Sequence, residues 1–467
     1  MNLRFSLSAI LFYLLLLGCL AGHYGCANIV PPGGGAIDTL PPQPVRLTPR
    51  DSSLQFSGNK IVLQFNEFIE LKNPNDQIII SPYPDKQPLI TSNLKTLSIK
   101  LKDSLLPNTT YTIDFGNAIA DINEGNILKD LKYTFSTGNQ LDSFSLSGTV
   151  RMAETGKADS TCWALLYKEE DDSTVAKKKP AYIARVNAKG VFQFSNLPAG
   201  KYYVYALKDT DGNKKYNQPI EAFAFLDKPV ELPNDSIVAD LYAFALEKEK
   251  KRESSGGTKK KDQFIYYPNI YEGALEITDT FFLQFEEKLT FIDTIHFMLQ
   301  QDTMQPKNIS GYRYDTLRNR LYLMNDFKQG SRYQLMLPKG FAKDSSGRAT
   351  IQNDTLLFRV KTEKEYGSLK ISFRQLDLSK KPVIQLMQNE QIAYSKAAGQ
   401  NDFYIKLFKP GSYQLQLLYD TNGNGVWDPG DYFSKPRKQP EIVQFVDKEI
   451  VVKPNWDNEY DITLSLK

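Results

Sequence analysis

Asp420, Asn422, Asn424, Asp428 and Asp431 set oxygen-bearing side chains at positions 1, 3, 5, 9 and 12 of one twelve-residue stretch, with Gly425 at position 6. That is the spacing of a calcium loop. Ca²⁺ takes about six to eight hard oxygens, the glycine permits the sharp turn that lets alternate residues converge, and Val426 at position 7 supplies a backbone carbonyl. Asp431 is shorter than the glutamate usual at position 12, and Asp, Asn and Gly are also the residues that ordinary polar turns select. A related stretch, Asp209, Asp211 and Asn213 followed by Asn217 and Glu221, carries Lys214 where the glycine should stand. The spacing predicts Ca²⁺ in the 420–431 loop, with the 209–221 loop as a weaker second candidate. The rival reading is two polar turns between strands.

No other residues have catalytic spacing. Gly-x-Ser-x-Gly, His-Glu-x-x-His and phosphate-loop patterns are missing. After His23 the chain has one histidine, His296, in a Thr294–Phe297 alternation that suggests a strand position. Cys162 is the one cysteine beyond Cys19 and Cys26, which rules out a disulfide within the folded part and suggests a small buried residue beside Trp163. Paired carboxylates acting on a glycan leave no sequence trace. A hydrolase of an envelope polymer therefore stays as a remote alternative to the expectation that this is not an enzyme. A formal charge of +3 over 467 residues, with no basic stripe interleaved with aromatics, argues against nucleic acid as a partner.

Both loops follow the same framework. An apolar strand, a proline-containing turn that ends in glycine (Pro198-Ala199-Gly200; Lys409-Pro410-Gly411), a Tyr-rich strand and Asp-Thr-x-Gly-Asn recur, with the strand, the glycine and the Asp at a constant offset of 211 (403 − 192, 411 − 200 and 420 − 209). A second pair, Leu63-Gln64-Phe65-Asn66-Glu67 and Leu283-Gln284-Phe285-Glu286-Glu287, confirms an internal duplication. The chain is too long for one core, and two duplicated pairs make four domains. Period-two alternation at Ile61, Leu63 and Phe65, at Leu97, Ile99 and Leu101, and at Tyr333, Leu335 and Leu337 predicts strands. The excess of Tyr (26) and Phe (27) over Trp (3) suits them. The fold class expected is all-β, as tandem β-sandwich domains.

Residues 44–138, with Leu63-Gln64-Phe65-Asn66-Glu67, the Leu106-Pro107-Asn108-Thr109-Thr110-Tyr111 run, the 121–126 loop and Phe135-Ser136-Thr137-Gly138, resemble the bacterial Ig-like domain of envelope and S-layer-type proteins. Residues 139–247, with Gly148-Thr149-Val150 and Leu197-Pro198-Ala199-Gly200-Lys201-Tyr202, resemble the small prealbumin-like sandwiches of exported proteins. A charged, Gly/Ser-containing linker at 248–262 leads to a second, divergent Ig-like domain (263–362) and a second prealbumin-like module (363–467). Such a linker predicts two halves that fold separately, with few contacts between them.

Residues 1–25 read as an export signal: Arg4, then an apolar run at 5–17 that is too short to span a bilayer permanently. Its Gly-Cys junctions resemble the lipobox of bacterial lipoproteins, which implies an acylated cysteine. Leu16-Leu17-Gly18-Cys19 matches the lipobox better, whereas the Pro/Gly-rich tether at 26–43 favours Cys26. Cys26 is preferred, with Cys19 as the alternative. Seven Asp-(Ser/Thr) pairs followed by an aliphatic residue or Thr, from Asp38-Thr39-Leu40 to Asp354-Thr355-Leu356, resemble O-glycosylation acceptors of certain gram-negative systems, and also resemble turn starts. The combined reading is a lipid-anchored outer-membrane protein of the cell envelope, serving as a structural, adhesive or scaffold array. Its partners would be the membrane, through the N-terminal lipid, and an envelope protein or glycan. The rival is a glycan- or peptide-binding protein that uses Trp427 and Trp456 as platforms.

Overall fold

The computed structural model describes residues 37–169, 171–235, 240–248 and 264–464, together with Phe12, Leu14 and Leu15. The leader, Cys19, Cys26, most of the tether and nearly all of the 248–262 linker lie outside the described residues. The chain is all-β, built as tandem sandwiches, and divides into two compact units: Met1–Ile80 with Pro84–Leu141, and Ser81–Tyr83 with Asp142–Lys467. No helix among the described residues is long and apolar enough to cross a membrane.

The first unit holds one sandwich. One sheet runs Pro44–Thr48, Lys60–Phe65, Thr96–Lys100, Leu89–Asn93, and a second runs Lys132–Ser136, Thr110–Asp114, Ile79–Ser81. A small sheet of Ile69–Leu71, Ile119–Asp121 and Ile127–Leu128 closes one end. The alternation in Lys60–Phe65 sends Ile61, Leu63 and Phe65 inward against Leu97, Ile99, Ile113 and Phe115, all buried. Each such side chain contributes about 1.5–3 kcal/mol by leaving water. The 121–126 loop is held by one carboxylate, since Asp121 accepts from the amides of Glu124 (2.6 Å), Gly125 (2.9 Å) and Asn126 (2.8 Å). Burial opposes its ionisation, but those amides outweigh it and hold Asp121 below the usual carboxylate range.

The second unit holds three sandwiches. In the second, Phe144–Met152 lies between Val191–Leu197 and Leu241–Ala243, facing a sheet of Tyr182–Arg185, Trp163–Tyr167, Gly200–Lys208 and Ala222–Phe225. The fourth repeats this plan with Gly367–Arg374 between Asp402–Phe408 and Asp457–Thr463, facing Gln391–Ala397, Pro382–Gln388, Gly411–Tyr419 and Ile442–Val452. The duplication reaches the irregularities. A register shift between Phe144 and Leu146 recurs between Gly367 and Leu369. The Tyr202 hydroxyl donates to the Pro198 carbonyl at 2.9 Å, and the Tyr413 hydroxyl to that of Lys409 at the same distance.

The third sandwich pairs a sheet of Tyr266–Pro268, Phe282–Phe285, Arg320–Met324 and Gly311–Asp315 with one of Ala274–Leu275, Asp354–Val360, Arg332–Leu337, Met298–Gln301 and Lys307–Asn308. It repeats the first sandwich in detail. The Lys328 amide donates to the Tyr333 hydroxyl as the Leu106 amide does to Tyr111, each at 2.8 Å. Asp344 accepts from the Ser346 and Arg348 amides in the place where Asp121 holds its loop.

Candidate functional site

Gly411–Tyr419 and Ile442–Val452 pair antiparallel, with Tyr419 opposite Ile442, so residues 420–441 form the loop of one long hairpin. Asp420, only 2% exposed at its head, accepts from the Gly423 and Gly425 amides, each at 2.6 Å. Gly425 has φ +78°, a left-handed conformation that glycine takes without strain, and this bends the chain back over Asp420. The side-chain amides of Asn422 and Asn424 both donate to Asp428 Oδ2, the latter at 2.8 Å. Asp420, Asn422, Asn424 and Asp428 thus share one loop, four of the six predicted ligands. Val426 is held there too, its amide donating to Asn424 Oδ1 at 2.7 Å.

Asp431 is not brought in. Its carboxylate accepts from the Phe433 and Ser434 amides, and its backbone pairs with Lys438 in both directions. What closes the loop instead is Glu441, 3% exposed, which accepts from the Thr421 amide and hydroxyl at 2.8 Å and from the Asp428 amide at 3.2 Å. Sequence reasoning missed Glu441 because it lies outside the twelve-residue spacing. The one available signal was Glu221, which also ends its loop just before a strand. Asn422 and Asn424 turn their Oδ1 atoms to the Asn424 and Val426 amides, at 2.9 and 2.7 Å, and their NH2 groups to Asp428, so a cation held here would need both amide planes to turn over and give up those two bonds.

The first copy has the same frame and a different centre. Glu221, fully buried, accepts from the Thr210 amide and hydroxyl (3.3 Å each) and from the Asn217 and Gln218 amides (3.1 Å each). Asp209 accepts from the Gly212 amide at 2.9 Å, and the Asn213 side chain donates to Asp211 at 2.7 Å. Carboxylate oxygens of Asp209, Asp211 and Glu221 lie within 4.8 Å of one another. Burial of Asp211 opposes its ionisation, but the Asn213 amide and the Gln218 side chain keep it low. The gathered negative charge is already answered. Lys214 Nζ is 2.7 Å from Asp209 Oδ2 and 4.6 Å from the centre of the Trp163 ring. The residue that breaks the calcium spacing is therefore the residue that supplies a cation. Asn217 contributes its backbone amide to Glu221 and its side chain to Asp211.

Between the two closing glutamates the offset rises from 211 to 220 (441 − 221), so the second loop carries nine extra residues. These reach across to the second sandwich. Tyr432, 1% exposed, packs its ring 5.1 Å from both Phe223 and Phe225, and Phe433 stacks on Tyr216 at 5.8 Å. Gln439 donates to the Phe225 carbonyl (3.2 Å) and to Asp227 (2.9 Å), while Arg437 pairs with Asp172. Beside them the Val443 amide donates to the Ala153 carbonyl at 2.8 Å, and a Cβ on Gly156 would lie 2.4 Å from the Val443 carbonyl oxygen. The expectation of two halves with few contacts between them is therefore corrected: an insertion distant in sequence from the linker joins them.

The remaining candidates separate. Trp427 is no open platform, because its indole nitrogen donates to the Glu441 carbonyl at 2.7 Å and its ring covers Val383, Leu418 and Val443. Trp456 is 64% exposed, with the Lys453 ammonium 5.3 Å from its ring centre. His296 lies in an exposed turn, not a strand, with Nδ1 2.9 Å from Asp293 Oδ2. Cys162 is buried as expected, and burial, aided by Asp159, pushes its thiol up to about 12. Among the Asp-(Ser/Thr) pairs, Asp38, Asp159, Asp293 and Asp315 each accept from the amide two residues on, the geometry of a turn start.

Residues 38–137 match the bacterial Ig-like domain family. This covers the first sandwich and a short stretch before it. No curated protein matches the chain. Among solved structures it is similar to the Bacillus anthracis TIE protein at 12% identity, covering 92% of this chain and 76% of that one with a TM-score of 0.17. It is similar to BcpA, the major pilin subunit of Bacillus cereus, at 11% identity, covering 69% and 99% with a TM-score of 0.17. The N-terminal part of the bacterial S-layer protein SbsC gives 13% identity, 42% and 43% coverage and a TM-score of 0.16. Likenesses of this size carry no argument about arrangement, partner or activity.

Proposed function

We propose that this chain is a lipid-anchored protein of the cell envelope, held at the outer membrane through an acylated Cys26, with its sandwiches serving as a structural, adhesive or scaffold array. The observation that carries the reading is the Ig-like match at 38–137, which begins within the Pro/Gly-rich tether that follows the lipobox-like Gly25-Cys26 junction. The clasp that Tyr432, Phe433, Arg437 and Gln439 form on the second sandwich supports it, since tying the second sandwich to the fourth stiffens an array. The protein is not an enzyme in this reading, and its partners are the membrane and an envelope protein or glycan.

Cell fractionation tests the anchor. Wild-type protein is expected with the membranes and Cys26→Ser in the soluble fraction. Release by Cys19→Ser alone would move the acylated residue to Cys19, and retention of both variants would defeat the anchor. Protease shaving of intact cells then separates surface adhesion from a periplasmic scaffold. A glycan- or peptide-binding role is the second reading, favoured by exposed Trp456. Calcium belongs to either reading, as a stabiliser of the 420–428 loop through Asp420, Asn422, Asn424 and Asp428.

A further inference from the structure

The outer face of one sheet of the third sandwich carries cations and rings in register. Across Tyr266–Pro268, Phe282–Phe285, Arg320–Met324 and Gly311–Asp315, one row reads Tyr267, Gln284, Arg320, Asp315. The next holds Phe282, Tyr322 and Arg313. The core lies behind them, where Leu283, Leu321 and Leu323 are fully buried. The Arg320 guanidinium lies 4.4 Å from the Phe282 ring centre and that of Arg313 4.9 Å from the Tyr322 ring centre, with the two rings 5.5 Å apart. Arg320 Nε donates to Gln284 at 2.7 Å, so its orientation is set twice.

Neither guanidinium is neutralised by a close carboxylate. Arg348, Arg359 and Arg437, by contrast, each pair with a carboxylate. The carboxylate on this face, Asp315, accepts from the Arg318 and Leu317 amides, which together with the charges of Arg318 and Arg313 hold it below the usual carboxylate range. A guanidinium stacked on a ring is pre-organised, with its remaining N–H donors free to take a carboxylate in a two-pronged fashion. Tyr267, 54% exposed at the far edge of the same face, offers a ring on which a sugar can lie.

We propose that this face binds an acidic polysaccharide, its carboxylates taken by Arg313 and Arg320 and a sugar ring by Tyr267. The alternating cation–ring surface, with two guanidinium groups against the Asp315 carboxylate, selects a polyanion of sugars over a neutral glycan. This goes beyond the envelope reading and does not depend on it, because a soluble, unanchored protein would carry the same face.

Gel retardation of the full chain in alginate, a polyuronate, tests it against dextran. Retardation by alginate alone, weakened at least fivefold by raised salt and lost in an Arg313→Ala/Arg320→Ala variant of unchanged melting temperature, is the expected result. Tyr267→Ala should weaken it severalfold, and Arg313→Lys/Arg320→Lys should fall between, since lysine keeps the charge but loses the stacked fork. No retardation, equal retardation by dextran, or retardation unchanged in the double alanine variant would overturn the proposal. Binding to RNA or to anionic vesicles with none to alginate would also overturn it. Should the double alanine variant unfold, the lysine pair decides: full alginate binding by it would refute the stacked-fork role.

Discussion

The hydroxyls of Tyr205 and Tyr432 lie 3.1 Å apart in a buried seam between the second and fourth sandwiches. Burial, and for Tyr205 the partner hydroxyl, raise both phenols above their ordinary value, so the pair is neutral throughout the physiological range. Replacing Tyr432 by Phe strands the Tyr205 hydroxyl and should cost about 1–3 kcal/mol. Tyr432→Ala also empties an aromatic pocket, for about 3–5 kcal/mol. Denaturant melts of the full chain check the magnitudes. Limited proteolysis checks the mechanism, since the alanine variant should release the fourth sandwich. An unchanged digestion pattern would show that the clasp does not couple the two.

Calcium should raise the melting temperature of the full chain through the second loop. Binding to the folded form alone contributes about 2.7 kcal/mol when the ion stands a hundredfold above Kd. Extracellular-type sites bind at about 10⁻⁴–10⁻³ M, so the titration must reach tens of millimolar. Asp420→Ala and Asp428→Ala should each abolish the shift, while Asp431→Ala should keep it, because Asp431 caps a different turn. A melting temperature indifferent to calcium and to chelator alike would reduce the loop to a polar turn.

In the first copy Lys214 already occupies the place of a cation, so Asp209→Ala should leave any calcium response intact. Lys214→Gly removes an ion pair whose carboxylate partner is fully buried, for a loss of about 3 kcal/mol in chelator. The Asp209, Asp211 and Glu221 oxygens then stand close together with no ammonium among them, and calcium should recover part of the loss. Melting curves of this variant with and without calcium make the comparison. A deficit that calcium leaves untouched would mean that these carboxylates serve only the backbone.

Acid should destabilise the junction between the third and fourth sandwiches. Glu365 takes two hydrogen bonds from the Arg359 guanidinium, at 2.6 and 2.7 Å, and a third from the Thr362 amide at 2.9 Å. Arg359 first, and the Thr362 amide against the opposing effect of burial, lower its carboxyl from 4.5 to about 2. The folded-state value is depressed, so the stabilisation is present above pH 4.5 and is lost as pH falls toward 2. Glu365 is 31% exposed and screened by solvent, which limits the contribution to about 1 kcal/mol. Glu365→Gln should be less stable than wild type at pH 7 by that amount and equal to it near pH 2. A constant difference across that range would assign the effect to packing.

The strands and the duplication were legible in the sequence because both depend on short-range order. Period-two alternation placed Ile61, Leu63 and Phe65 on one buried face, and the 211-residue offset carried the turn glycines Gly200 and Gly411 and their tyrosines from the second sandwich to the fourth. The first four oxygen-bearing positions of the 420–431 loop were readable for the same reason, since Gly425 bends them toward one another within nine residues. Glu441, Lys214 and Tyr432 were not. Glu441 meets Thr421 only because two long strands pair and return the chain to the loop's base. Lys214 reads as a broken motif until its ammonium is seen against Asp209 and Trp163. Tyr432 finds Tyr205, 227 residues away, across a seam that no local pattern encodes. Periodicity and turn chemistry act between neighbours in the chain, whereas the partner of a buried charge or ring is set by which surfaces the completed sandwiches bring into contact.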